Sequence, residues 1–533
     1  MQDTYDAIII GGGMGGLTCG AWLAHKGLRV LVLEQNIRPG GLCTSYRRGA
    51  FNFTPAASIM TGFTKENGFF ERLVKSLGID NDIEFIPLEQ GYHVHFPDLD
   101  YLMFSGGGDA RERFIEQLVG MFPHERSGIN SFFSTLVKLY RQSEYATFLG
   151  TAPGDIARIL CKCPSLVKHM GKNIVQFMND HVSDPRLKAV LSINSTCANL
   201  PPSRMSLLGI AGLLIEGGLS NPHVKGGPQA VSEAFAKSIT AAGGDILLGH
   251  MADAILVENN RALGVTALPS PLAMEEEAAG ASHERREFRA RHIVSAIDAR
   301  QTFGTLVGAD KLPAKFMRML GGLEPTPPFC ALFLGLDIDL KERGLVPALH
   351  IHSSTYDTEE HFRNVAAKLE ADNGPDPFFR FQLGPLSDPA SAPKGKTAFV
   401  MHHIPVPSRG WGNSQWEQRF ADRMIKRAEK IIPGLSSHIE YREFLSPATI
   451  DRYTLCGTDS SIGWALTPQQ VGPKRLSQIT PVENLLLSGH WTEPALGVLA
   501  TVISGLKAAT TILKREGTVE PLAEIGIRNG VPE

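Results

Sequence analysis

The stretch YDAIIIGGGMGGLTCGAWLAHKGLRVLVLEQNIRPGG, residues 5–41, decides the fold. Residues 5–10 form an apolar run closed by glycines, which predicts a buried parallel strand. Residues 14–26 are small and helix-permissive, Gly27 ends them, and LRVLVLE (28–34) is a second buried strand. This is a βαβ unit with Gly11-x-Gly13-x-x-Gly16 directly after its strand and opening its helix, the context a dinucleotide fingerprint requires. Gly11 permits the tight turn, Gly13 lets backbone approach a pyrophosphate, and Gly16 lets the helix pack on the sheet. The helix N-terminus then faces the diphosphate with free N–H groups and its dipole. Glu34 stands 23 residues after Gly11, placed to hydrogen-bond ribose hydroxyls. The fingerprint alone does not separate FAD from NAD. The pair Gly40-Gly41 that follows is either a plain turn or backbone laid against a flavin's ribityl-diphosphate arm, where a side chain would collide, and the C-terminal segment below favours the second.

Outward from this unit, 533 residues imply two or three domains, and 43% apolar with 20% charged residues reads as soluble and globular. A net charge of −3 carries no basic surplus for nucleic acid. The seven cysteines are scattered and odd in number, with no CxxC pair, which fits reduced thiols in a cytoplasmic protein. The first strand opens near Tyr5, leaving no room for a leader peptide. The longest apolar run, Leu207–Ile215, is too short to span a bilayer.

Along the chain, an amphipathic helix is expected near 66–78 and two strands over 84–105. Helices with three- and four-residue apolar spacing fill 110–215. A helix and strands return at 227–257, and 269–287, rich in Pro, Ala and Glu, predicts an exposed hairpin loop. Strands follow at 292–298 and within 328–403, then a charged helix near 414–431, a strand at 484–489 and a long closing helix. The fold class is α/β.

Three blocks beyond the first extend the pattern: GGPQAVSEAFAKSITAAGGDILLGHMADAILVENNRALGV (226–265), HIVSAIDARQTF (292–303) and ENLLLSGHWTEPALGVLATVISG (483–505). Together with 8–46 they resemble the phytoene desaturase, carotenoid isomerase and retinol saturase family within the flavin amine oxidase superfamily. The resemblance implies a Rossmann-like, GR2-type FAD domain assembled from 1–80, 225–300 and 480–533. A mixed-sheet substrate domain would comprise 81–224 and 301–479, with a helical cap over about 110–215. It implies FAD contacts at Gly11, Gly13, Gly16, Glu34, Gly40, Gly41, Leu42, Ala252, Gly489, Gly497 and Val498. The helix beginning at Gly497–Val498 would face the flavin's pyrimidine end. The sequence departs from the family at His490, where many relatives carry an acid, at Thr54-Pro55-Ala56 and at Pro494-Ala495-Leu496.

Flavin chemistry asks little of side chains, and no triad, G-x-S-x-G elbow, HExxH or paired-cysteine metal site is present. His490, Trp491 and Glu493 are the candidate catalytic residues. His490 is a proton donor, a flavin contact or a hydrogen-bonded structural residue; Trp491 walls the substrate slot or packs in the core; Glu493 is an acid–base group. His402-His403 and His350-x-His352 lie in strand-like segments, where one of each pair could face a cavity or be satisfied within a sheet. No metal is expected there, since carboxylates in matching geometry are not evident. Residues 155–181, with Arg158, Lys162, Lys168 and Lys172, read as a basic amphipathic stretch that rests on a membrane or is an ordinary cap. No second GxGxxG follows a strand, so turnover would use oxygen, a quinone or another acceptor, or be redox-neutral. The expected function is FAD-dependent desaturation, saturation or cis-trans isomerisation of an apolar polyene or isoprenoid. The rivals are an amine or amino-acid oxidase, for which no charged substrate clamp is legible, and an FAD-holding escort-like protein.

Overall fold

The computed structural model describes residues 4–532 apart from 58–59, 61, 64–67, 105–108, 151, 220–221, 277–283, 364–377, 405, 407–410, 413 and 529. Two seven-stranded sheets organise it. The first contains Thr4–Ile10 at its centre, paired in parallel with Val30–Leu33 on one side and Arg286–Ser295 on the other. Asp245–Leu247 extends it in parallel beyond Val30–Leu33. The strand Arg286–Ser295 divides its far edge: 286–289 pair antiparallel with Arg261–Pro269, and Ile293–Ser295 pair in parallel with Leu485–Leu487. His250–Glu258 completes the sheet.

Both faces of the central strands are covered, which is why their sequences are continuously apolar. Ala7, Ile9, Val30 and Val32 pack under the helices Met14–His25, Gln229–Ala241 and Val498–Arg515, while Ile8, Ile10, Leu31 and Leu33 join Ile255, Val265 and Phe288 in a second core. The first and closing helices touch backbone to backbone: a Cβ on Gly505 would lie 2.5 Å from the Gly15 carbonyl oxygen. This contact draws the C-terminus onto the N-terminal βαβ unit.

The second sheet runs Ile439–Leu445, Cys330–Leu336, Thr397–His403, Phe378–Gln382, Leu349–Ser353, Gln90–Phe96 and Leu99–Phe104. It is antiparallel except where Leu349–Ser353 meets Gln90–Phe96. Above it lies a helical cap. Its long helix Arg126–Ala146 buries Ile129, Phe132, Phe133, Leu136 and Leu139, the three- and four-residue spacing expected of an amphipathic helix.

Two expectations change. The stretch 155–181 is three short helices, Pro153–Lys162, Pro164–His169 and Ile174–Asn179. Pro164 has no N–H to continue the first, and Asn173 with Gln176 forms a capping box that starts the third. The connection at 269–287 is the expected hairpin, joining the antiparallel strands Arg261–Pro269 and Arg286–Ser295, but it begins with a short helix, Pro271–Glu276; residues 277–283 lie outside the described residues. The helix expected near 66–78 is Phe69–Ser76, with 64–67 outside the described residues. No helix among the described residues is long and apolar enough to cross a membrane, and none of the seven cysteines is disulfide-bonded.

Candidate active site

A cavity of about 1880 Å³ opens at the C-terminal ends of the parallel strands and continues between the second sheet and the cap. Small-molecule cavities measure about 300–1,000 Å³, so this one has room for a dinucleotide and a second molecule. The position is the one where doubly wound sheets take nucleotides.

At the nucleotide end the loop is held by backbone. Gly11 N–H donates to the Leu33 carbonyl at 2.8 Å and Gly40 N–H to the Gly12 carbonyl at 2.7 Å. A Cβ on Gly41 would lie 3.3 Å from Gly13 Cα, so the Pro39–Gly41 turn rests on the fingerprint itself. A Cβ on Gly13 would meet nothing within 4 Å, because that side of Gly13 opens into the cavity. Gly11, Gly40, Gly41 and Leu42 line the same space. Gly16 does not: a Cβ there would stand 2.0 Å from the Gly11 carbonyl oxygen, so its role is packing.

Glu34 is buried at the cavity wall. Gly12 N–H donates to its Oε2 at 2.7 Å, and Asn36 donates to Oε1 from its backbone N (2.8 Å) and Nδ2 (2.7 Å). Burial raises its pKa against these bonds. The carboxylate therefore fixes the fingerprint loop as well as facing the cavity. Ala252 lines the space at an irregularity in strand pairing between Ala252 and Ala254. Gly489, Gly497 and Val498 also line the space, Gly489 in backbone contact with Gly15, where a Cβ would lie 2.7 Å from Gly489 Cα. The closing helix presents its first turn, Val498–Ala500, to the cavity with no acidic residue and no side-chain cap, leaving its N–H groups and positive dipole end free.

The three candidate catalytic residues differ in availability. His490 is half-buried with its ring at the cavity; burial, and next the Arg475 charge, hold its pKa down to about 4. It is a neutral imidazole at neutral pH. Trp491 is mostly core: its ring packs edge-on against Trp464 at 4.8 Å, Trp464 Nε1 donates to the Trp491 carbonyl at 2.7 Å, and the Arg300 guanidinium lies over the ring at 4.8 Å. Glu493 lines the cavity but its carboxylate is ion-paired with Lys507.

Arg475 escaped the sequence reading. It is buried, and its guanidinium donates to the carbonyls of Thr492 and His490 at 2.7 Å each and to those of Trp464 (3.3 Å) and Gln470 (3.4 Å). Burial pulls it down to about 9, so it remains a cation at neutral pH. It clamps the loop that carries His490, and Gly463 completes the fit, since a Cβ there would lie 2.4 Å from the His490 carbonyl oxygen. Nothing local in the sequence marks either residue.

The second sheet forms the far wall. His402 faces the cavity, its Nε2 donating to the Pro55 carbonyl at 3.1 Å, and burial followed by the Arg380 charge lowers its pKa to about 3. Arg380, its register partner on the next strand, is also buried and lines the cavity beside Cys197 and Phe329. No charged clamp was legible in the sequence, because strand register, invisible there, is what turns Arg380 towards the cavity. His350 and His352 take the other face, stacked on Phe381 (4.8 Å) and Phe379 (4.9 Å) and joined by His93 and His95 from the neighbouring strand. On the cap side the lining is mainly apolar, including Tyr140, Phe148, Leu160, Leu166, Met170 and Leu208.

Comparison with known proteins agrees with this geometry. Residues 9–77 match the family of NAD(P)-binding Rossmann-like domains. Over 99% of its length the chain is 26% identical to prolycopene isomerase 1, chloroplastic, of an Oncidium hybrid cultivar, of which 86% is covered. It is 24% identical to the neurosporene-forming phytoene desaturase of Rhodobacter capsulatus over 95% of this chain and 93% of that one. It is 22% identical to the all-trans-retinol 13,14-reductase of Danio rerio over 97% and 87%. Among solved structures, cyclohexylamine oxidase from Brevibacterium oxydans shares the fold with a TM-score of 0.57 at 16% identity, over 96% of this chain and all of that one. The resemblance read from the four sequence blocks thus extends over nearly the whole chain.

Proposed function

We propose that the chain is an FAD-dependent oxidoreductase that exchanges a hydride with a carbon of a long apolar polyene or isoprenoid, and so desaturates, saturates or isomerises it. One observation carries the reading: a glycine-built dinucleotide cradle and an apolar tunnel under a helical cap are a single continuous cavity. Relatives that act on polyenes match the chain from end to end.

The residues present fit FAD. Gly13 leaves open space where a diphosphate would lie, Gly40 and Gly41 offer bare backbone beside it, and the uncapped first turn at Val498 faces the same space. Gly11, Gly13, Glu34, Gly40, Gly41, Leu42 and Ala252 would hold the adenosine-diphosphate part together with Gly489, which packs against Gly15 of the fingerprint, and Gly497 and Val498 the ring. Bound flavin would supply the hydride carrier. The protein's part is orientation and electrostatics: the helix dipole at Val498 and the nearby Arg475 cation favour negative charge at the ring end. The neutral His490 offers a hydrogen-bonding nitrogen without bringing a charge. Apolar lining excludes water from the reacting carbon.

The cavity mouth supports a membrane-resting orientation. Ile156, Leu160, Val167 and Ile479 are exposed around it, and Arg158, Lys162 and Lys168 lie among them, as an anionic lipid surface would require.

Anaerobic mixing of the flavin-loaded protein with a panel of polyenes tests the reading. Loss of two hydrogens with flavin bleaching identifies a desaturase. Unchanged mass with altered chromatographic retention, in the reduced protein only, identifies an isomerase, and a gain of two hydrogens identifies a saturase. Silence in both redox forms across the panel would refute the polyene reading.

A further inference from the structure

We infer that Arg380 receives an anionic end of the substrate, so that the ligand is a carboxylate-bearing polyene or isoprenoid seated acid-first against the second sheet. This rests on the polyene reading above and narrows it. Arg380 is nine-tenths buried, lines the cavity beside the Cys197 thiol, and finds no hydrogen-bond partner for Nε or Nη1 among the described residues. The groups acting on it electrostatically are Cys197 and Tyr92, neither of which is an anion at neutral pH, and burial lowers rather than raises its pKa. A buried guanidinium without a counter-ion is costly, and its planar fork matches a carboxylate. The surroundings share the deficit: His402 Nδ1 is buried beside it without a hydrogen bond among the described residues. Strand alternation explains the arrangement. Phe379 and Phe381 turn to the opposite face, so Arg380 projects inward next to His402 on one neighbouring strand and Ile351 on the other. The cap side of the tunnel is mainly apolar, with Tyr140, Phe148, Leu166, Met170 and Leu208, which gives the occupant one charged end and a long hydrocarbon body.

The test compares a C20 polyene carboxylic acid with its methyl ester and the matching hydrocarbon, titrated into flavin-loaded wild type, Arg380→Lys and Arg380→Met, with flavin absorbance as readout. Wild type is expected to prefer the acid by at least about tenfold, Arg380→Met to lose that preference, and Arg380→Lys to keep part of it. The Met variant should fold with an unchanged or higher Tm, since it removes an uncompensated buried charge. Equal binding of acid and hydrocarbon to wild type, or an acid preference that survives Arg380→Met, overturns the inference while the polyene reading stands. Arg380-dependent binding of short carboxylates with no response to any polyene would instead sink the polyene reading and leave the clamp.

An independent observation on the opposite face of the sheet carries a second inference: we propose that His93, His95 and His350 bind a divalent metal ion of the zinc type. One ligand nitrogen of each lies within 4.8 Å of the others. Asp100 Oδ1 accepts from His95 Nδ1 at 3.0 Å, and the Val346 carbonyl accepts from His350 Nε2 at 3.0 Å. These partners fix the tautomers, leaving His95 Nε2 and His350 Nδ1 as lone pairs 3.3 Å apart. Tetrahedral zinc with Zn–N of about 2.0–2.1 Å sets its nitrogens about 3.3 Å apart. A carboxylate and a carbonyl behind ligating imidazoles are the usual outer partners of such sites. His93 supplies the third nitrogen, and its Nδ1 is buried without a hydrogen bond among the described residues.

Chelator-stripped full-length protein titrated with Co²⁺ and with Zn²⁺ alone tests this. One equivalent of Co²⁺ should bind with the visible bands of a tetrahedral nitrogen site, be displaced by Zn²⁺, and fail to bind His95→Gln/His350→Gln, whose flavin content should match wild type. No Co²⁺ binding by wild type at micromolar concentration, or binding that survives the double substitution, overturns it.

Discussion

A methyl group added at Gly13 and one added at Gly16 should fail in opposite ways. Gly13 has φ −74° and ψ 171°, a conformation any residue adopts, and its new Cβ would meet no protein atom within 4 Å. Alanine is a poorer helix N-cap than glycine by up to about 1 kcal/mol, but it restricts the unfolded chain by about 0.4–1 kcal/mol. The two nearly cancel, and the apoprotein should keep its stability to within about 0.5 kcal/mol. If a diphosphate lies against Gly13, the methyl group occupies its contact surface. An overpacked contact of about 1–3 kcal/mol weakens FAD binding about 5–150-fold. At Gly16 the Cβ would stand 2.0 Å from the Gly11 carbonyl oxygen, 3.1 Å from Ile9 Cγ2 and 3.2 Å from Ala296 Cβ. The first obstacle is backbone, so helix and strand must part. Overpacking there costs at least about 1–3 kcal/mol before any flavin is present. Apoprotein Tm by differential scanning calorimetry, and flavin affinity from quenching of flavin fluorescence, separate the two. Gly13→Ala binding FAD within twofold of wild type at unchanged Tm would refute the placement of the diphosphate over this loop.

Other outcomes follow from the same geometry. His402 and His490 have folded pKa values of about 3 and 4 against about 6.5 unfolded, so the unfolded chain takes up more protons between these values. Their stabilisation is fully present above pH 6.5 and is lost as pH falls towards 4. The loss between pH 7 and pH 4 amounts to about 3 kcal/mol for the fully buried His402, so His402→Gln should flatten the urea-midpoint profile between pH 7 and 4.5. Arg475→Met removes two 2.7 Å bonds to the His490 and Thr492 carbonyls. It should cost about 3–5 kcal/mol, read as a lowered urea midpoint, which Arg475→Lys recovers only in part. Substituting serine for Ile156, Leu160 and Val167 should abolish sedimentation with anionic vesicles. Lys168→Gln should weaken it about fivefold, on the order of 1 kcal/mol per basic residue, and neutral vesicles should show no such charge effect.

The nucleotide half of the fold was legible because its determinants are local. Strand, glycine loop, helix, strand and acid follow one another within residues 5–41, and the structure sets Thr4–Ile10, Met14–His25 and Val30–Leu33 where the spacing predicts them. The substrate wall was not legible, because its chemistry depends on which strands become neighbours. Arg380 lies in FFRFQ, which reads as an apolar strand with one charge, and only pairing with Thr397–His403 turns it inward beside His402. The four histidines come from HVH at 93–95 and HIH at 350–352, more than 250 residues apart, and a parallel pairing sets them in register. Asp100, whose carboxylate accepts from His95, comes from across the hairpin. Arg475 and Gly463 matter for what they touch in the His490 loop, and neither carries a motif. The broken helix at 155–181 was legible in principle, from Pro164.

The two ends of the cavity set a ruler. The cofactor cradle is backbone on a sheet buried on both faces, held by bonds such as Gly40 N–H to the Gly12 carbonyl and by the packing of Gly16, so the reacting ring would have one position. The Arg380 guanidinium, on a central strand of the other sheet, has one position as well. A substrate held by its acid at Arg380 must then present the same carbon, counted from the acid, whatever the length of its tail, because the tail runs towards an open apolar mouth with exposed Leu160 and Ile479. Polyene acids of increasing length should therefore react at a constant position from the carboxyl carbon, with turnover little affected by added tail units. Mass spectrometric location of the altered bond in two or three homologues reads this directly. A position constant from the tail end would mean that the substrate is gripped under the cap, by the hydrocarbon, and that Arg380 does not set its register.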